Sequence, residues 1–98
     1  MDNTFIVPVT DEERFVVMQT LRDFNEMEHM RFMSLDSIAN ASMLKKSKVR
    51  HVIDDLMKKK FIIRYIASEN PKLPRYYYTV EAEGMEFIDA YLQKLEEE

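Results

Sequence analysis

Two short runs of β-branched and aromatic residues, at 61–66 and 76–80, interrupt a chain whose other apolar residues recur at helical spacing. Runs of this length and composition are typical of β-strands. The segment between them contains Pro71 and Pro74, and a proline pushes the residue before it toward an extended backbone. The pattern predicts a β-hairpin with a long, semi-rigid loop. Because the rest of the chain is helical in pattern, the expected fold class is α+β, mostly helical.

Helices are predicted wherever apolar residues repeat every three or four positions. Thr10 and Glu13 form a capping box, in which each side chain can bond the amide of the other residue. Ser34 is expected to cap a short second helix, which is followed by a turn at 41–44. The expected helices are 11–29, 35–40, 46–60 and a last one from Glu81 onward.

The predicted elements fit a single domain. A chain of 98 residues has room for one hydrophobic core and for no second domain. Residues 10–95 are assigned to this domain, with an extended N-terminal arm at 1–9 and an acidic tail at 96–98. An extended link at 31–33 is expected to give at most a minimal additional strand.

Charge is distributed unevenly, although the net charge is only −4. Residues 45–75 contain ten lysines and arginines against three acids, whereas the segments before and after them are acidic. A basic stretch between acidic flanks indicates a surface that faces a polyanion, and it does so better than the net charge does. A solubilising surface is the alternative explanation of these lysines.

Composition argues against an enzyme, a metal site and a bound cofactor. The chain has no cysteine, one glycine and two histidines, His29 and His51, which lie far apart in sequence. Thiolate chemistry and Cys-based metal sites are therefore excluded, and so are glycine-rich phosphate loops. The apolar runs are far shorter than the ~20 residues that span a bilayer, and no signal peptide is recognisable. We expect a cytoplasmic, non-enzymatic protein without a membrane segment.

The order of predicted elements resembles that of winged helix-turn-helix proteins. Residues 34–39 resemble the second helix of the family, and residues 44–56 resemble the start of its recognition helix. Residues 78–84 resemble the junction between strand and last helix in small MarR- and PadR-type regulators. The resemblance covers about residues 11–92. It implies a three-helix core, a two- or three-stranded wing and an additional C-terminal helix.

Three positions depart from the family pattern. Lys60 stands where a glycine often ends the recognition helix, so this turn lacks the residue that adopts a positive φ most easily. Lys45 replaces the usual hydroxyl cap of the same helix, although Ser47 lies nearby. Glu81 replaces the common threonine at the start of the last helix. None of these changes removes the fold.

The resemblance implies double-stranded DNA as the partner, read in the major groove by the helix at 46–60. Arg50 is expected to make a bidentate contact to guanine, and Ser47 lies three residues earlier on the same face. The lysines suit phosphates, and the wing around 67–75 is expected to contact the backbone or the minor groove. The expected DNA-binding residues are Lys45, Lys46, Ser47, Lys48, Arg50, His51, Lys72 and Arg75.

The last predicted helix carries an apolar stripe that is wider than a surface helix requires. In small winged-helix regulators this helix commonly pairs between two subunits, so the resemblance implies a homodimer. The expected interface residues are Phe87, Ile88, Tyr91, Leu92 and Leu95.

Together these features predict a sequence-specific, dimeric transcriptional regulator, and we expect a repressor. Two alternatives stay open. A replication or partition initiator would share the fold and the basic surface and would differ in its target site. A protein-interaction winged-helix module would instead dock its basic surface on an acidic partner. Salt-dependent binding to random duplex DNA separates this module from a regulator.

Overall fold

The computed structural model describes residues 8–28, 33–66, 72 and 76–97. Over these residues the chain forms α1 (Asp11–Glu28), α2 (Leu35–Ser42), α3 (Lys46–Lys58), β1 (Ile62–Ile66), β2 (Tyr76–Val80) and α4 (Ala82–Glu96). None of these helices is long and apolar enough to cross a membrane. The predicted α+β fold class is confirmed, and the elements occur in the predicted order. Residues 1–7 of the predicted arm, His29 and most of the predicted hairpin loop lie outside the described residues.

Local hydrogen bonds begin α1 and α2 as the sequence predicts. The Thr10 amide donates to Glu13 Oε1 at 2.9 Å, and the Glu13 amide donates to Thr10 Oγ1 at 3.1 Å. Ser34 precedes α2, and its Oγ accepts from the Ser37 amide at 3.3 Å. Each bond satisfies an amide that the first turn of a helix otherwise leaves without an intrahelical partner.

The sheet consists of the antiparallel pair β1 and β2, in which Ile62 lies opposite Val80. Met33 extends the sheet by one residue. The Tyr78 amide donates to the Met33 carbonyl oxygen at 3.1 Å, and the Met33 amide donates back to the Tyr78 carbonyl oxygen at 3.5 Å. The wing predicted with two or three strands is therefore a two-stranded sheet with a single-residue bridge beside it.

The core lies between α1, α2, α3, the sheet and α4. Its buried residues are Phe15, Val17, Met18, Leu21, Met33, Ile38, Ala39, Val49, Val52, Ile53, Leu56, Ile62, Tyr78 and Ile88. Phe15 of α1 stacks on Tyr91 of α4, with 4.5 Å between the ring centroids. Because burial of a large apolar side chain contributes about 1.5–3 kcal/mol, this contact between the first and last helices is an important part of the fold.

The two turns that flank α3 use the left-handed backbone region without a glycine. α2 continues through Ser42, so the turn predicted at 41–44 is confined to its second half. Met43 makes this turn with a φ of 63°. α3 ends earlier than predicted, and Lys60 adopts a φ of 62°. Lysine at 60 therefore takes the conformation that glycine would take more easily, at a cost of about 1–2 kcal/mol.

The only glycine in the sequence allows α4 to approach the sheet closely. A Cβ at Gly84 would lie 2.4 Å from the Phe61 carbonyl oxygen and 2.8 Å from a methyl carbon of Val80. The same Phe61 oxygen accepts from the Glu81 amide at 2.8 Å, which fixes the start of α4 although the Glu81 side chain makes no capping bond. Glycine is needed at this position for space, since any Cβ would force the backbone of residue 61 to move.

Candidate nucleic-acid interface

The amphipathic pattern of α3 decides which of its residues face outward. Its buried residues are Val49, Val52, Ile53 and Leu56, and the helix contacts α1, α2 and β1. On the side of α3 that faces away from the core, the N-terminal half of the helix is exposed and mostly basic. The exposed positions there are Lys45, Lys46, Ser47, Arg50 and His51, and Lys48 is half-buried. Of the residues predicted to meet DNA, those at the start of α3 thus lie close together, with Lys48 turned toward α1.

The first turn of α3 begins without help from a neighbouring side chain. Lys45 is the N-cap residue, and its side chain makes no capping hydrogen bond. The positive end of the helix dipole and the lysine charges therefore lie in the same place. This combination favours an anion near the start of α3.

Two of the lysines assigned to DNA form ion pairs within the chain. Lys46 Nζ lies 2.7 Å from Asp36 Oδ1 of α2, and both side chains are exposed. Lys48 Nζ lies 3.3 Å from Glu13 Oε2 of α1, and it also donates to the Pro8 carbonyl oxygen at 3.2 Å. The exposed Lys46–Asp36 pair is worth about 0–1 kcal/mol, so a phosphate can replace its carboxylate at small cost. The Lys48–Glu13 pair, at 29% and 22% exposed, is more enclosed.

A more buried ion pair fixes α3 against α1. Arg14 Nε lies 2.6 Å from Asp55 Oδ2, and the two side chains are 17% and 23% exposed. Arg14 Nη1 also lies 2.6 Å from Asp11 Oδ1. The hydrogen bond to Asp55 raises the pKa of Arg14 above its usual value, so the guanidinium keeps its charge. Helical spacing alone puts Asp55 beside the exposed residues of α3, whereas the structure turns it toward α1.

A cleft of about 610 Å³ lies between the exposed parts of α3 and the sheet, beside the start of α2, and we call it the α3–sheet cleft. The charged residues that line it are Asp36, Lys46, Arg50, Asp54 and Arg64. Its wall on the sheet side consists of Tyr76, Tyr77 and Tyr78. Three cations and two acids give the cleft an excess of positive charge, and Arg50 connects it to the basic side of α3.

Arg64 of β1 is a cleft residue that the sequence analysis did not identify. Its guanidinium carbon lies 4.4 Å from the centroid of the Tyr76 ring, which is a cation–π arrangement. Tyr78 lies opposite Arg64 in the register, and burial raises the pKa of the Tyr78 phenol. Strand alternation is the signal that could have found Arg64, because it lies two residues after the buried Ile62 and therefore on the same face of β1.

The predicted wing contacts are only partly described. Lys72 is exposed. Arg75, Pro71 and Pro74 lie outside the described residues. The assignment of Lys72 and Arg75 to the DNA backbone or minor groove stays a prediction.

The apolar stripe predicted on α4 is divided between the core and the surface. Ile88 is fully buried within its own chain, so it belongs to the core rather than to a surface that a second copy could cover. Phe87, Tyr91 and Leu92 are partly buried against the same core. Leu95 is 48% exposed. The apolar surface of α4 that a second copy could cover is therefore smaller than the sequence suggests. It lies toward the C-terminal end of the helix.

These elements define a winged helix-turn-helix domain. α2, the turn at Met43 and α3 form the helix-turn-helix, and β1 and β2 form the base of the wing. No protein-family model matches the sequence, and no curated protein matches it.

Solved structures of transcription regulators share this fold. A variant of MepR from Staphylococcus aureus has a TM-score of 0.71 and 19% identity, over 91% of this chain and 60% of that chain. BpsR from Bordetella bronchiseptica has a TM-score of 0.69 and 21% identity, over 86% and 58%. A PadR-family regulator from Clostridium difficile has a TM-score of 0.67 and 17% identity, over 83% of each chain. At these identities the likeness establishes the fold alone. This chain spans about three fifths of the MepR and BpsR chains.

Proposed function

We propose that this protein is a sequence-specific regulator of transcription that binds double-stranded DNA with α3 in the major groove. The observation that carries the proposal is the exposed basic side of α3, which continues into the α3–sheet cleft on a winged helix-turn-helix scaffold. The comparison with MepR supports it, because a MepR structure of the same fold contains DNA. In this class of fold the N-terminal half of the recognition helix contacts base edges.

Arg50 is assigned to base reading. It is exposed, and it has no ion pair among the described residues. A guanidinium that is not held by a carboxylate can direct two parallel donors to O6 and N7 of guanine. Ser47 lies one turn earlier on the same side of α3, within reach of a neighbouring base or phosphate, and His51 lies beside Arg50.

The remaining cations are assigned to backbone phosphates. A lysine ammonium is a point charge without a directional fork, so it adds affinity and little base discrimination. Lys46 and Lys48 would exchange a carboxylate for a phosphate oxygen when DNA binds. The full set comprises Lys45, Lys46 and Lys48 of the helix and Lys72 and Arg75 of the wing around 67–75.

We further propose that two copies pair through α4 and that the dimer acts as a repressor. Leu95 offers an exposed apolar side chain, with the partly buried Tyr91 and Leu92 preceding it on α4. Two recognition helices held about 34 Å apart would read a palindrome with a period of one helical turn. A dimer on such a site excludes other proteins from it, which is the simplest route to repression. The predicted cytoplasmic localisation agrees with this role.

Binding to DNA is tested with duplexes that the purified protein enriches from genomic fragments. Fluorescence anisotropy gives the Kd for an enriched duplex and for a scrambled one between about 50 and 200 mM salt. We expect both to bind at low salt, and the enriched duplex to bind about a thousandfold more tightly. If neither duplex binds at about 50 mM salt, the DNA-binding proposal is wrong, and an acidic protein partner becomes the explanation of the basic surface.

Pairing through α4 is tested by sedimentation velocity at about 10 μM protein. We expect a dimer for the parent and a monomer for Leu95→Glu, with an unchanged circular dichroism spectrum because Leu95 is 48% exposed in its own chain. Met43→Glu is the matched control, since Met43 is 91% exposed and lies far from α4 in the chain. A parent that sediments as a monomer at about 100 μM would contradict the dimer.

A further inference from the structure

Arg64 occupies an unusual place for an exposed charged residue. In β1 it alternates with Ile62, which is buried, and Ile66, which is 66% exposed, so all three lie on the same face of the strand. The core therefore ends between Ile62 and Arg64, and the guanidinium lies in the α3–sheet cleft beyond it. A cation on the core-facing side of a sheet directs its charge toward whatever occupies that cleft.

The side chain of Arg64 is held in place by the aromatic ring of Tyr76. Its guanidinium carbon lies 4.4 Å from the centroid of the Tyr76 ring, and Tyr76 is partly buried. The Tyr78 phenol also lies close enough to interact with the guanidinium, and stacking leaves the other edge donors of the guanidinium pointing away from the Tyr76 ring. An arginine that is already ordered loses less conformational entropy when it binds an anion than a freely rotating side chain does.

The cations that line the cleft differ in whether they have a carboxylate partner. Lys46 is already 2.7 Å from Asp36. Neither Arg50 nor Arg64 forms an ion pair with any of the residues that the structure describes. The cleft thus presents two guanidinium groups without carboxylate partners, one from α3 and one from the sheet.

We propose that Arg64 binds a backbone phosphate of the same duplex that α3 reads, and that Tyr76 is its positioning residue. This inference rests on the proposed DNA-binding function. Arg50 and Arg64 belong to different elements that pack on one core, so simultaneous contact to a base and a phosphate fixes the rotation of α3 in the groove. Arg64 therefore adds affinity for any duplex and sets the angle at which Arg50 approaches its base.

The test compares five variants with the parent on enriched and scrambled duplexes over a range of salt. Arg64→Ala should weaken both complexes about five- to thirtyfold and should lower the slope of log Kd against log salt by about one unit per subunit. Arg64→Lys should restore the slope and only part of the affinity, because an ammonium keeps the charge and lacks the fork. Lys58→Ala removes one exposed cation near the C-terminal end of α3 and should leave both Kd values unchanged.

The variants of Tyr76 test the positioning role. Tyr76→Phe keeps the aromatic face and should bind both duplexes as the parent does, whereas Tyr76→Leu should weaken both and keep the salt slope. Thermal unfolding of every variant shows whether a loss comes from the fold. If the parent binds no duplex, the proposed function itself fails. If the parent binds and Arg64→Ala behaves like Lys58→Ala, the role of Arg64 is wrong. Equal weakening by Tyr76→Phe and Tyr76→Leu would overturn the positioning role of the ring.

Discussion

α3 and α4 pack on the same core as amphipathic helices, yet they present opposite charges to their surroundings. The exposed charges at the start of α3 are all basic: Lys45, Lys46 and Arg50. The exposed charges of α4 are mostly acidic: Glu83, Glu86, Asp89, Lys94 and Glu96. The core determines the apolar stripe of each helix but has no influence on the charge of the opposite side. The contrast agrees with the proposal that DNA lies next to α3, since an acidic side such as that of α4 would repel a polyanion.

The two helices also differ in how their charges are paired. Lys46 and Lys48 of α3 form ion pairs with Asp36 of α2 and Glu13 of α1. Among the described residues, no ion pair joins α4 to another element. Lysines that already have partners gain less from a phosphate, so this pairing would restrain the proposed binding to DNA of any sequence. It would keep the attraction between α3 and a polyanion moderate.

Loss of the Arg50 guanidinium should have the largest effect on the function of α3. Arg50→Ala should weaken binding to the enriched duplex by about 1–3 kcal/mol per half-site, because the bidentate contact to guanine is lost. Fluorescence anisotropy measures this change. Glu86→Ala removes one exposed charge from α4 and should leave the Kd unchanged. If Arg50→Ala binds as tightly as the parent, Arg50 does not read a base.

The packing of α4 is most sensitive at Gly84. Gly84→Ala should lower the free energy of unfolding by about 1–2 kcal/mol, because the new methyl group meets the backbone oxygen of Phe61. Alanine in a helix normally gains about 1 kcal/mol over glycine, so a loss has to come from this contact. Urea unfolding followed by circular dichroism measures it. Glu83→Ala, at an exposed neighbouring position, should be neutral or slightly stabilising. A more stable Gly84→Ala would mean that α4 lies further from the sheet.

Release of a paired lysine should have a smaller effect, in the opposite direction to the loss of Arg50. Asp36→Asn removes the carboxylate that lies 2.7 Å from Lys46, so any duplex should bind about two- to fivefold more tightly. The salt slope should rise by up to about one unit per subunit. Asp89→Asn makes the same change of net charge on α4 and should leave binding to scrambled duplexes nearly unchanged. Equal effects of the two variants would show that net charge, and not the pairing of Lys46, controls affinity.

The smallest predicted effect concerns acid stability and the contact of α1 with α3. The hydrogen bond from the Thr10 amide lowers the pKa of Glu13 from 4.5, and Lys48 lowers it further. A carboxylate whose pKa is lowered by folding stabilises the fold at pH values above its pKa in the unfolded chain. This contribution disappears as the pH falls through its pKa in the folded protein. The free energy of unfolding should therefore decrease below about pH 4.5, and Glu13→Gln should make that decrease slightly shallower.

Urea unfolding at several pH values between 7 and 3 measures this acid effect, at about 0.5 kcal/mol or less because solvent still reaches the Glu13 side chain, which is 22% exposed. Glu12→Gln is the control, because Glu12 is an exposed glutamate directly before Glu13 in the sequence. A parent and a Glu13→Gln variant with parallel pH profiles would contradict a role for this carboxylate in acid stability.

Local signals in the sequence predicted most of the fold. The capping box at Thr10 and Glu13, the cap at Ser34 and the helical spacing of α3 depend on residues within four positions of each other, and all of them are confirmed. The boundaries were less accurate where a residue adopts a conformation that its type disfavours. Met43 and Lys60 both have positive φ without being glycine. The family pattern indicated position 60, where a glycine is usual, whereas no local signal in the sequence indicated Met43.

The candidate site was predicted in part, because some of its contacts join distant elements. The basic residues of α3 were found from their spacing. The pairing of Arg14 with Asp55 spans 41 residues, and spacing within α3 therefore gave the wrong side for Asp55. Strand alternation puts Arg64 on the same face of β1 as Ile62, but its stacking on Tyr76 depends on pairing with the second strand. Similarly, the sequence marked Ile88 as apolar but could not show that its own chain covers it.

The contact between Phe15 and Tyr91 has a consequence for protein synthesis. These rings stack at 4.5 Å, so Phe15 of the first helix is not fully covered until Tyr91 of the last helix packs on it. The chain leaves the ribosome N-terminus first, so α1, α2 and α3 emerge before α4 can pack against α1. Until then Phe15 remains open to chaperones or to another nascent chain. A transcript that stops before α4 would yield a product prone to aggregation rather than a smaller working domain.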